Sequence, residues 1–88
     1  MTLRIETVSD GQTATLLLIG RLESRNLDEL QVHVGRRRPR LLLDLDEVTL
    51  LDVGVVRFLI ACEAKGIELL NCAPYIREWM SRERDRKE

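Results

Sequence analysis

Arg40-Leu-Leu-Leu-Asp-Leu-Asp-Glu-Val-Thr-Leu-Leu-Asp-Val-Gly-Val-Val-Arg-Phe-Leu59 contains the transition on which the fold turns. Leu41 to Leu45 reads as a strand, Asp46 and Glu47 as an acidic loop, and Val53 to about Lys65 as a helix. Asp52 stands at the helix boundary, where its carboxylate can accept hydrogen bonds from the first free N–H groups. Between Asp52 and Leu59 there is no Ser, Thr, His or Cys. The helix start therefore carries neither a nucleophile nor a phosphorylatable hydroxyl.

Upstream, Leu3, Ile5 and Thr7 alternate with Arg4, Glu6 and Val8, the two-residue period of a strand with one wet face. Asp10-Gly11 is a dipeptide suited to a two-residue hairpin turn. The nearly continuous apolar stretch Thr13 to Ile19 predicts a second strand covered on both faces and ended by Gly20. Ser24 or Asn26 is placed to cap a first helix whose Leu27, Leu30 and Val34 share one face, and Gly35 ends it. His33 projects away from that stripe and reads as a solvated side chain.

In the second helix Val55, Leu59 and Cys62 form the inward face, with Phe58 beside them and Arg57, Ala61 and Ala64 opposite. Val56 and Ile60 lie on the flank, either as core or as surface open to a partner. Gly66 stops this helix, Ile67 to Leu70 reads as a fourth strand, and Pro74 opens a last helix. Ile76, Trp79 and Met80 form its inward stripe, with Tyr75 one turn from Trp79 as part of an aromatic core plug. From Ser81 to Glu88 the charges alternate without an apolar face, the pattern of a tail or frayed helix end.

The order β-β-α-β-α-β-α predicts a small α/β layer: a mixed, mostly parallel four-stranded sheet with an N-terminal hairpin and about three helices. Residues 1–80 form one domain and 81–88 its charged tail. An 88-residue chain has room for one core. Its 44% apolar and 33% charged residues are those of a globular protein.

A formal net charge of −1 argues against a nucleic-acid partner. Arg36-Arg37-Arg38-Pro39-Arg40 is a local exception and reads as a solvated loop broken by proline. The alternating polarity of the N-terminus does not suit a signal peptide, and no apolar run approaches the ~20 residues needed to span a bilayer. The expected location is the cytoplasm, without membrane insertion.

Cys62 and Cys72, ten residues apart, match no common zinc spacing and read as small buried hydrophobes. Asp44, Asp46 and Asp52 are the carboxylates available to a hard cation such as Mg²⁺. No phosphate-cradling glycine loop accompanies them, and no nucleophile, base and orienting group stand together. The expectation is a protein that is not an enzyme, with no cofactor and no metal.

In four places the chain resembles the STAS domain family, the anti-sigma factor antagonists and their relatives. Leu18-Ile19-Gly20-Arg21-Leu22-Glu23 is similar to the family's Leu-x-Gly-Arg-Leu-Asp. Leu42-Leu43-Asp44-Leu45-Asp46-Glu47-Val48 is similar to Val-Leu-Asp-Leu-Ser-x-Val, and Gly66-Ile67-Glu68-Leu69 to the fourth strand. The signature Asp-Ser-Ser-Gly, followed by Leu and a second Leu three residues on, aligns without a gap on Asp52 to Val55, then Val56 and Leu59. Val53 then occupies the position of the family's phosphorylated Ser. A one-residue gap that brings Gly54 onto the family Gly leaves the site equally without a hydroxyl.

The resemblance implies a non-catalytic module that binds a protein, an anti-sigma factor or kinase-like regulator, without serine phosphorylation control at the usual site. Asp52, Val53, Gly54, Val56, Ile60, Asp46 and Glu47 are the expected partner-binding residues. A second assembly fits the same likeness: an accessory subunit of a transporter or of a multi-copy signalling scaffold. Self-association is left open by the sequence.

Overall fold

The computed structural model describes residues 3–35 and 40–85. The basic cluster from Arg36 to Pro39, expected to be a solvated loop, lies outside them. Strand β1 (Arg4–Ser9) and β2 (Ala14–Leu22) lead through a 3-10 turn (Ser24–Asn26) into α1 (Leu27–Val34). Then come β3 (Leu41–Leu51), α2 (Val53–Ala64), β4 (Glu68–Leu70) and α3 (Pro74–Asp85). The sheet order is β1-β2-β3-β4, with β1 antiparallel to β2 and the pairs β2–β3 and β3–β4 parallel. This is the expected α/β architecture.

Alternation along the strands divides the sheet into two faces. Leu16, Leu18 and Leu43 are enclosed beneath the helices, against Leu30, Leu59, Ile76 and Met80. Thr15, Leu17, Ile19 and Leu42 point the other way and remain half-buried. Enclosing each large apolar side chain is worth roughly 1.5–3 kcal/mol. The leucines of β2 and β3 thus set which side of the sheet the helices cover.

The hairpin loop is longer than the expected two-residue turn. Ser9 pairs with Ala14, leaving 10–13 as the loop. The Asp10 carboxylate accepts from the N–H groups of Gln12 (3.0 Å) and Thr13 (2.8 Å), and Gly11 has φ 90°. The Asp side chain supplies the acceptor that a tighter turn would have taken from the backbone.

Gly20 does not end β2 but lies inside it with φ 103°, beside a change of register. The nine residues of β2 pair with eleven of β3, and the register shifts between Leu17 and Ile19 and again between Gly20 and Arg21. Asp46 and Glu47 are therefore strand residues at an irregular stretch, not a loop. Their side chains face water; Glu47 pairs with Ile19, while Asp46 is skipped at the shift in register, so acidity does not prevent strand formation. At the first shift the Asp44 carboxylate accepts from the Asp46 N–H (3.0 Å) and from Asn71 Nδ2 (3.1 Å).

In α2, Val55, Leu59 and Cys62 are buried as expected, and so is Val56, at 0% exposure. Gly66, with φ 90°, terminates the helix as Ile67 N–H reaches back to the Cys62 carbonyl (3.0 Å). Tyr75 is 55% exposed and takes no part in a core plug; Trp79 alone packs against the core. The charged stretch from Ser81 is helical as far as Asp85. Glu83 pairs with Arg57 (3.2 Å), while Arg77 (2.7 Å) and Arg84 (3.1 Å) converge on Glu63 and fasten α3 to α2.

Candidate functional site

Asp52 leaves β3 in extended conformation (φ −117°, ψ 178°), so its carboxylate turns back over the first turn of α2. Oδ1 accepts from the Val55 N–H at 3.1 Å and from the Ser24 hydroxyl at 2.9 Å. Oδ2 accepts from the Ser24 N–H at 2.9 Å. Burial pushes this carboxyl upward, but the bonds from Ser24 and Val55, with a contribution from the Gly54 N–H, outweigh it and hold it below the usual carboxylate range.

Ser24 therefore does not cap α1. The chain enters that helix through the 3-10 turn, where Asn26 Oδ1 accepts from the Glu23 N–H (2.9 Å) and the Asn26 N–H donates to the Glu23 carbonyl (2.8 Å). The Ser24 side chain instead lies over Gly54: a Cβ at Gly54 would stand 2.1 Å from Ser24 Oγ. Around this junction Leu50 is 47% and Val53 39% exposed, two apolar side chains on either side of the Leu51-Asp52 step.

The solved structure of the anti-sigma factor antagonist SpoIIAA in its unphosphorylated form is similar to this chain with a TM-score of 0.59. The match covers 91% of this chain and 82% of that one at 16% identity. This is the STAS fold. No protein-family model and no curated protein matches the chain.

Within this STAS fold the residues expected to meet a partner do not all share one surface. Asp52, Val53 and Gly54 stand together at the β3–α2 junction. Val56 is enclosed in the core and is withdrawn from the surface set, since its side chain points beneath α2. Ile60 is half-buried, nearly two turns further on, about 10 Å along the helix axis. Asp46 and Glu47 are exposed but lie upstream on β3, on the order of 15–20 Å from Asp52 along an extended strand.

Two residues of the junction do not stand out in the sequence. Leu50 is hidden in an apolar run, although a strand carried on to Leu51 turns it outward by alternation. Ser24 reads as a helix cap; no local pattern pairs it with a carboxylate 28 positions away.

Among the described residues no three His, Cys, Asp or Glu side chains are grouped so as to hold a metal ion. Burial pushes the Cys62 thiol up to about 11, against a weaker downward pull from Lys65, and burial also raises Cys72. Neither supplies a thiolate near neutral pH. His33 is half-buried, and its Nδ1 is enclosed without a hydrogen-bond partner among the described residues, so it is not the solvated side chain expected of it. Among the described residues no helix is long and apolar enough to cross a membrane.

Proposed function

We propose that this chain is a non-catalytic protein-interaction module of the STAS type, which binds a regulatory protein through the β3–α2 junction without serine phosphorylation at position 53. The observation that carries the reading is the exposed pair Leu50 and Val53 beside a helix start held rigid by Asp52. Arg21, the register neighbour of Leu50, is exposed at the same end of the sheet, while Arg25, next to Ser24, is paired with Glu23 at 3.0 Å. An apolar centre beside the Arg21 cation fits a partner that offers apolar side chains next to an acidic group. By likeness to SpoIIAA, an anti-sigma factor antagonist, that partner is an anti-sigma factor or a related kinase-like regulator.

Val53→Asp tests this placement. A carboxylate at the first helical position is compatible with the fold, because negative charge is favoured at a helix N-terminus. It nevertheless opposes an acidic, apolar partner. Immobilised wild-type and Val53→Asp chains are exposed to the same native lysate, and affinity for the protein recovered by wild type is then measured. We expect Val53→Asp to bind at least about tenfold more weakly, a typical cost for a central contact, with an unchanged circular-dichroism spectrum. Equal affinity overturns the placement.

A further inference from the structure

Asp52 has more to do than cap a helix. Two of its three short hydrogen bonds go to Ser24, which opens the turn between β2 and α1, and the Ser24 hydroxyl fills space that any side chain at position 54 would occupy. We infer that Ser24 and Gly54 are positioning residues which latch the β2–α1 turn onto the start of α2, so that both loops present a single rigid face to the partner. The inference rests on the proposed interaction surface for its functional meaning. Its geometry stands independently of that surface.

The chemistry of the latch is specific on both sides. Asp52 Oδ1 holds the Val55 N–H and the Ser24 hydroxyl together, so loss of the hydroxyl leaves the cap and the Ser24 N–H bond to Oδ2 but removes one of the two ties that hold the turn. Gly54 admits this hydroxyl because it has no Cβ; a methyl group there would also lie 3.3 Å from Ser24 Cβ. An alanine at 54 displaces the Ser24 hydroxyl from Asp52 Oδ1. Helix propensity alone predicts the opposite sign, since Ala in place of Gly normally favours a helix by up to about fivefold in the equilibrium constant.

Four full-length chains decide the matter: wild type, Gly54→Ala, Ser24→Gly and the double variant. Urea unfolding and hydrogen exchange at the Val55 amide are measured for each. Gly54→Ala is expected to lower the folding equilibrium constant about tenfold and to speed Val55 exchange by a similar factor, as contacting residues couple on this scale. In the Ser24→Gly background the same substitution should cost little or nothing. An equal cost in both backgrounds overturns the latch.

Should Gly54→Ala fail to fold, Ser24→Ala supplies the deciding measurement through the Asp52 carboxyl titration followed by carbon NMR. Removing the hydroxyl donor is expected to raise the titration midpoint, and an unchanged midpoint overturns the inference. These readouts use the chain without a partner. A failed latch with weakened Val53→Asp binding therefore leaves the surface standing, whereas an intact latch with normal Val53→Asp binding moves the surface elsewhere.

Discussion

Asp52 shows how one side chain can join two stretches of chain distant in sequence. Asp52→Ala removes the Val55 cap and both acceptors of Ser24, and is expected to cost about 0.5–2 kcal/mol from the cap alone. Urea denaturation at neutral pH measures it. Because the native carboxyl is held below its ordinary value, its contribution is present in full above the unfolded value of ~3.9 and is lost as pH falls through the lower native value. Wild type should therefore lose more of its urea midpoint between pH 5 and pH 3 than Asp52→Asn does, since Asn does not titrate. Equal losses would show that Asp52 is not the group responsible. Val53, one residue on, carries no such structural duty; its 39% exposure leaves it free for contact.

Helices and strands are held by unequal means. α3 has Ile76 and Met80 in the core, and several ion pairs to α2 at its rim. Glu83 is nearly buried, but the two pairs at Glu63 are partly solvated and contribute little, because solvent screens them and long side chains must be ordered. Met80→Ala is expected to destabilise by about 2–5 kcal/mol, whereas Glu63→Gln, which breaks the pairs to Arg77 and Arg84, should cost below about 1 kcal/mol. Chemical denaturation of the two variants side by side checks the ranking; a larger loss for Glu63→Gln would reverse the account of how α3 is held. β3 follows a different logic. Its two extra residues relative to β2 are absorbed by shifts in register, so Asp46 and Glu47 face water while Leu45 and Leu51 stay in the core.

At the scale of the whole molecule one core links all four strands and three helices, from Leu16 and Leu43 in the sheet to Leu30, Leu59 and Met80 above it. A single shared core predicts a single cooperative transition. Fluorescence of Trp79, the only Trp, reports on the packing of α3, while far-ultraviolet circular dichroism reports on all elements. The two urea curves should coincide; an earlier fluorescence transition would mean that α3 leaves before the sheet unfolds. Much of this architecture is legible in the residues themselves. Two-residue and three-to-four-residue apolar periods fix the order of strands and helices, Asp52 marks the start of α2, and Gly66 its end, because these signals act within a few positions of the chain. Tertiary structure alone decides the rest. Val56 is enclosed and Tyr75 exposed because neighbouring elements, not the helix on which each lies, determine what covers a flank. Asp46 and Glu47 belong to a strand because β2 lies alongside, pairing Glu47 with Ile19 and carrying β3 through the irregular step at Asp46. The meeting of Ser24, Asp52 and Gly54 likewise exists only once β2 and β3 are paired, since hydrogen bonds between residues 28 positions apart leave no local pattern in the sequence.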